Sequence, residues 1–241
     1  MTTETINQNI TDLYTQGSYL DKHPGWHAER SPWKAAHVLR GLRAANLNPS
    51  SICDIGCGTG LALAEVVKGL SGVERAVGFE PSPDAPLHPA AEGMIEHRRE
   101  DATESGEHFD LSIMLDVFEH VEDYFGFLRK CRPLADHHVF HIPLDANARM
   151  VITSGCSRAR QTLGHLHYFS RPTALATLRE TGYEPIHWHF TKSAWDGPGP
   201  GKNPWTPTNV LRRAFYVVSP EYTQRILGGL SLLVVARAGE P

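Results

Sequence analysis

Cysteine is scarce in this 241-residue chain, which carries only Cys53, Cys57, Cys131 and Cys156. None of them forms a Cys-x-x-Cys pair. That argues against a zinc site or an iron–sulfur cluster and suits a reduced, cytoplasmic setting. The chain also lacks any lysine or arginine block of the kind that tracks a phosphate backbone. Its formal net charge is -4 with 14 histidines counted neutral, so nucleic acid is not an expected partner. No window approaches the length of an apolar membrane span, and the opening Met-Thr-Thr-Glu-Thr-Ile-Asn has no apolar signal core. No membrane partner is expected on that basis. No internal repeat is visible.

What the chain has is glycine in a particular place. Ser51-Ile52-Cys53-Asp54-Ile55-Gly56-Cys57-Gly58-Thr59-Gly60 is a short apolar run, an acid, and three glycines on alternate positions. Ile52 and Ile55 between the turn-formers Pro49 and Gly56 read as a buried strand, and a helix-forming segment begins at Leu61. A glycine turn lets backbone approach a ligand closely, and the helix behind it directs free N–H groups at the turn. The spacing differs from the Gly-x-Gly-x-x-Gly of dinucleotide sites. Asp54, two residues ahead of Gly56, would repel a pyrophosphate and welcome a cationic ammonium.

This acid–x–Gly–x–Gly–x–Gly pattern resembles the first motif of the class I S-adenosylmethionine-dependent methyltransferases. Further positions continue the resemblance. Glu80 ends the apolar run Val77-Gly78-Phe79, where nucleotide-binding α/β folds place an acid for the ribose hydroxyls. Asp101-Ala102 follows another short run, and the resemblance implies that Asp101 bonds the adenine amine with Ala102 beside the ring. Phe109–Leu115 reads as the fourth strand and runs into Asp116-Val117-Phe118-Glu119-His120-Val121, similar to the family's motif after that strand. With three cysteines nowhere clustered, radical chemistry on the same cofactor is disfavoured.

The resemblance implies a single α/β domain over residues 1–241. It would be a Rossmann-like, seven-stranded, mostly parallel sheet with helices on both faces and an antiparallel last strand. The residues themselves predict strands near 51–55, 74–79, 94–98, 109–115, 136–142, 183–190 and 230–237, and helices near 60–70, 119–131 and 171–181. The prolines after Glu80 predict a short or broken helix there. A short helix is expected at 11–16. Ser31-Pro32 should open another, with serine as N-cap, running to about Asn46. Residues 1–46 form the expected N-terminal helical lid, in which Trp26, His27 and Trp33 close over the cofactor. Residues 143–170 and 191–229 exceed a minimal fold. The second begins with an irregular Trp195–Trp205 stretch, continues as a helix at 210–218, and is a candidate lid or homodimer contact.

An oxygen or nitrogen acceptor needs a base, and His120 and Tyr168 are the residues favoured for the acceptor side. His141, His165 and His167 are the other candidates. No metal is expected: His137, His138 and His141 read as edge-strand or surface histidines, and His187 and His189, which share a strand face around Trp188, have no carboxylate or cysteine partner nearby in sequence. The leading expectation is methyl transfer from S-adenosylmethionine to a small-molecule acceptor. The alternative keeps the cofactor as sole substrate, displacing its own aminobutyl arm to give a cyclic amino acid and methylthioadenosine. A non-catalytic cofactor-binding subunit is the third reading.

Overall fold

A computed structural model of the protein describes residues 28–197 and 203–239. The helix expected at 11–16, and Trp26 and His27 of the expected lid, lie outside the described residues. The chain runs through helix α1 (Ser31–Ala44), strand β1 (Ser51–Ile55), α2 (Leu61–Lys68), β2 (Arg75–Phe79), β3 (Glu96–Arg98) and β4 (Phe109–Leu115). It continues with α3 (Tyr124–Cys131), β5 (Ala135–Pro143), α4 (Ala148–Ile152), α5 (Gly155–Leu163), α6 (Arg171–Glu180), β6 (Tyr183–Thr191), α7 (Pro207–Val218) and β7 (Ser231–Ala238).

The seven strands form one sheet in the order β3-β2-β1-β4-β5-β7-β6. The first five are parallel, and β7 runs antiparallel to both β5 and β6. From β1 the chain proceeds outward to β2 and β3, then returns to place β4 on the other side. That reversal opens a crevice at the carboxyl ends of β1 and β4, where ligands of open α/β sheets bind.

Two apolar layers hold the sheet. Because strand side chains alternate, Ile52, Leu111, Ile113, Val139, Leu233 and Val235 face α1 and α2, while Cys53, Ile55, Met114, Phe140, Ile142, Leu232 and Val234 face α3 and α6. Helix α1 supplies Ala35, Val38, Leu39 and Leu42 to the first layer at helical spacing. It lies close on β7. A Cβ at Gly41 would come within 2.6 Å of the Leu233 side-chain end, so glycine lets the helix sit here without displacing that side chain.

Several expected elements differ in detail. Arg30, closing a 3-10 turn over Ala28–Arg30, stands at the N-cap of α1 with no side-chain cap, and Ser31 already lies inside the helix. Pro32, with its preset φ, fits that first turn. The helix expected at 119–131 is two elements, a 3-10 turn Phe118–His120 and α3. Asp123, whose carboxylate accepts from the Gly126 N–H at 2.9 Å, is the real N-cap. The proline-rich stretch after Glu80 contains only a 3-10 turn, Pro89–Ala91. The 143–170 excess forms α4 and α5, and the 191–229 excess contains α7 followed by short turns to Leu227.

Candidate active site

The carboxyl ends of the strands enclose a cavity of about 780 Å³. At its β1 wall, Asp54 is 1% exposed and its Oδ1 has no hydrogen-bond partner. Burial pushes its carboxyl well above the usual carboxylate range, against the pull of the Lys34 ammonium. A buried, unsatisfied carboxylate oxygen on a cavity wall suits a cationic ligand group.

The glycine turn is bound to the end of β2. Gly56 and Cys57 donate their N–H groups to the Phe79 carbonyl at 2.9 and 3.1 Å. Gly58, at φ +53°, donates to Glu80 Oε2 at 2.9 Å, and Ser82 donates to Oε1 at the same distance. One carboxylate thus clamps the turn after β1 to the turn after β2 and faces the cavity as it does so. Burial raises the Glu80 carboxyl above its ordinary value, with the two N–H donors opposing. Gly60 is not among the lining residues. Its φ of +72°, which L side chains rarely adopt, starts α2.

Asp101 caps the turn Ala102–Glu104, accepting from the Thr103 N–H at 2.8 Å and the Thr103 hydroxyl at 2.9 Å through Oδ1. With Ala102, Phe79 and Pro81 it lines the same cavity as Asp54 and Glu80. Asp116 follows β4 with a left-handed backbone, φ +63°, a region that aspartate enters more readily than most non-glycine residues. Its N–H donates to the His141 carbonyl at 2.9 Å. Its carboxylate meets Lys34 Nζ at 2.8 Å and His141 Nδ1 at 2.5 Å. Burial opposes ionisation here, but His141 and Lys34 together hold the carboxyl well below its usual range.

The other side of the cavity carries His120, His165 and Asp145 among apolar Val121, Phe127, Leu163 and Leu230. The 3-10 turn bearing His120 is fastened to the segment after α5: Leu166 and His167 both donate to the Glu119 carbonyl, at 2.8 and 3.2 Å. His120 Nδ1 donates to the Gly164 carbonyl at 3.2 Å, which fixes the tautomer with the lone pair on Nε2. Burial, with His165 adding to it, pushes His120 down to about 4, so the ring is neutral at pH 7. His165 Nδ1 meets Asp145 at 2.8 Å. Burial works against its protonation, yet Asp145 and Glu119 raise it. Glu119 is pushed up to about 8, first by burial and then by the charge of Asp116.

Glu119, His120 and His165 bring one ligand atom each to within 4.8 Å of one another, so this trio could hold a cation. Of the histidines set aside as ligands from sequence, His138, His141 and His189 have hydrogen-bond partners, while His187 Nε2 is buried without one. His138 bonds Ser112 Oγ at 2.6 Å and the Ala135 carbonyl at 2.9 Å, while His189 meets His37 at 3.3 Å.

Two expected site residues lie elsewhere. The Tyr168 hydroxyl donates to the Cys156 carbonyl at 2.7 Å, and the residue is not among those lining the cavity. Trp33 likewise does not line it. Its ring packs edge-on against His37 and His141 beneath the Arg30 guanidinium. Lys34 and Asp145 were missed by the sequence reading. Each earns its place through a partner distant in the chain, and no local pattern marks either.

The chain belongs to a methyltransferase domain family, whose model matches residues 26–187. The buried unsatisfied Asp54 oxygen and the Glu80-clamped glycine turn fit S-adenosylmethionine, the group that this family membership implies. Among curated relatives, the chain is 33% identical over 118 residues to a ubiquinone biosynthesis O-methyltransferase of Pseudomonas syringae, covering 44% of this chain and 51% of that protein. It is 27% identical over 203 residues to the protein of the same name from Acinetobacter baylyi, covering 72% and 85%. The chain thus spans about half the length of the first of these relatives. Among solved structures, magnesium protoporphyrin IX methyltransferase from Synechocystis with bound S-adenosylhomocysteine superposes with a TM-score of 0.61 at 13% identity, over 97% of this chain and 99% of that one. The structure of 1,6-didemethyltoxoflavin-N1-methyltransferase from Burkholderia thailandensis gives 0.57 at 15% identity, over 98% and 89%.

Proposed function

We propose that this protein transfers a methyl group from S-adenosylmethionine to a hydroxyl of a small, largely apolar acceptor, with His120 as the general base. The observation that carries this reading is His120 itself. It is a buried, neutral imidazole on the cavity wall whose tautomer leaves the lone pair on Nε2. The O-methyltransferase relatives support oxygen as the acceptor atom. The apolar lining around His120 supports an apolar acceptor body.

When bound, S-adenosylmethionine supplies a methyl carbon on a positively charged sulfur, with a neutral thioether as leaving group. Asp54 receives the cationic end through its unsatisfied Oδ1. Glu80 holds the glycine turn and offers its remaining lone pairs to the ribose. Asp101 and Ala102 take the adenine. Within the described residues, alignment and exclusion of water fall to the cavity walls, because departure of a thioether needs little acid help. His120 Nε2 would accept the acceptor hydroxyl's proton as that oxygen takes the methyl group.

The decisive experiment incubates the protein with S-adenosylmethionine and a panel of phenols and alcohols. One S-adenosylhomocysteine per methylated product, with His120→Ala reducing the rate at least about a hundredfold, supports the proposal. Methylthioadenosine released from the cofactor alone would instead establish intramolecular displacement.

A further inference from the structure

Helix α7 is turned inside out. Val210, Leu211, Ala214, Val217 and Val218 share the i, i+1, i+4, i+7, i+8 spacing of one apolar face. In a globular protein that face is normally buried. Here it is outside: all five residues are exposed, with Val217 and Val218 each 86% so. The polar side faces in. Asn209 is the buried residue of the helix, and its Nδ2 donates to the carbonyls of Asn203 and Ala194 at 2.8 and 3.4 Å. Arg212 donates to the Leu227 carbonyl through Nε and Nη2, at 3.2 and 3.0 Å. Rolling the helix to hide its valines would break these bonds, so the orientation is fixed by the fold.

The apolar face has company. Trp205, just ahead of α7, is 72% exposed, with the Arg213 guanidinium 5.1 Å from its ring centre. Val151 and Ile152 of α4 are also largely exposed, and α4 packs on the Thr223–Leu227 turn that follows α7. The charge around these segments is of one sign. Residues 147–163 and 203–227 contain Arg149, Arg158, Arg160, Arg212, Arg213 and Arg225 against a single acid, Glu221. That acid is already paired with Arg171 and Arg225. The chain as a whole is negative, so the basic charge is local.

We propose that this face docks the enzyme on the surface of an anionic lipid bilayer, with α7 lying in the interface plane. An outward apolar stripe flanked by arginines is the chemistry of an interfacial helix, and it needs no membrane-spanning segment. A second copy of the chain fits less well. The α7 face alone, about 18 Å long and about 10 Å wide, offers roughly 200 Å², so an interface of roughly 800 Å² per partner would have to extend well beyond the helix. A symmetric contact would also set arginines against arginines.

The test is flotation of the purified full chain with vesicles of phosphatidylcholine alone and of phosphatidylcholine mixed with phosphatidylglycerol. Binding is expected to the anionic vesicles, weakened by high salt. Val217→Asp combined with Val218→Asp should reduce it at least about tenfold, and Arg213→Gln about fivefold. Calorimetric affinity for S-adenosylmethionine should remain unchanged in both, which checks the fold. The proposal is overturned if the wild-type protein ignores anionic vesicles at low salt, or if the double variant floats as well as wild type. It is equally overturned if ultracentrifugation finds a dimer that the double variant dissociates.

Discussion

His141 Nδ1 lies 2.5 Å from Asp116 Oδ1, and the same ring places Nε2 2.9 Å from Thr191 Oγ1. A carboxylate only accepts, so Nδ1 carries the proton of this contact. The ring therefore joins the end of β4, through β5, to the end of β6. It also anchors a carboxylate whose backbone is left-handed and whose second oxygen meets Lys34 of α1.

Removing the charge tests this arrangement. Asp116→Asn keeps the size of the side chain but leaves Lys34 beside a neutral group in a largely dry site. Breaking a pair of this kind should cost about 2 to 3 kcal/mol, read as a lower urea midpoint, with weaker binding of ligands in the cavity. An unchanged midpoint would show that solvent replaces the carboxylate at no cost.

Glu80 makes two backbone contacts with one carboxylate. Glu80→Gln can keep only one of its oxygens as an acceptor, and Glu80→Ala keeps neither. Hydrogen bonds to a charged acceptor contribute about 1.5 to 3 kcal/mol. Affinity for S-adenosylmethionine should therefore fall by about tenfold or more in the alanine variant, with glutamine intermediate, as measured by calorimetry.

The pH profile should report a neutral base. Because His120 is pushed down to about 4, the acid limb of kcat/KM should fall near pH 4 and not near the ordinary histidine value of about 6.5. Kinetics on wild type across pH 3.5 to 7, at about half-unit steps, would place that limb.

Stability should follow pH for a related reason. His138 is held down to about 4, chiefly by burial, and His120 behaves likewise. Below the unfolded value of about 6.5 the unfolded chain binds protons that the folded chain refuses. Unfolding free energy should thus decline as pH drops from about 6.5 towards 4, and the decline should be smaller in His138→Gln. Equal slopes in the two proteins would rule out His138 as a contributor.

Trp33 separates packing from cofactor contact. Its ring supports His37 and His141 and does not line the cavity. Trp33→Ala should lower stability by about 2 kcal/mol, less than a fully buried tryptophan because the residue is half-buried. Its effect on calorimetric affinity for S-adenosylmethionine should be small. A large loss of affinity without destabilisation would return Trp33 to the lid.

The parts of the site that were legible in sequence are those carried by short-range pattern. Glu80 and Asp116 directly follow β2 and β4, Asp54 lies one residue before the end of β1, and Asp101 follows β3 by three residues, and spacing along the chain is enough to order them. Tyr168 was misplaced because a hydroxyl's partner cannot be read from its neighbours, and its partner is the Cys156 carbonyl on α5. Helix α3 began later than expected because Asp123 competes with Glu119 as a starting point, and tertiary bonds from Leu166 and His167 draw Glu119 into a turn.

Sequence alone determined the alternation of strands and helices, the glycine turn and the order of the acids, since each depends on residues close together in the chain. Tertiary structure decided which groups meet. It set Lys34 against Asp116, His165 against Asp145 and the tautomer of His120, and it turned the valines of α7 outward. Those outcomes depend on contacts between segments far apart in the chain, where burial and hydrogen bonding act on geometry that no local pattern encodes.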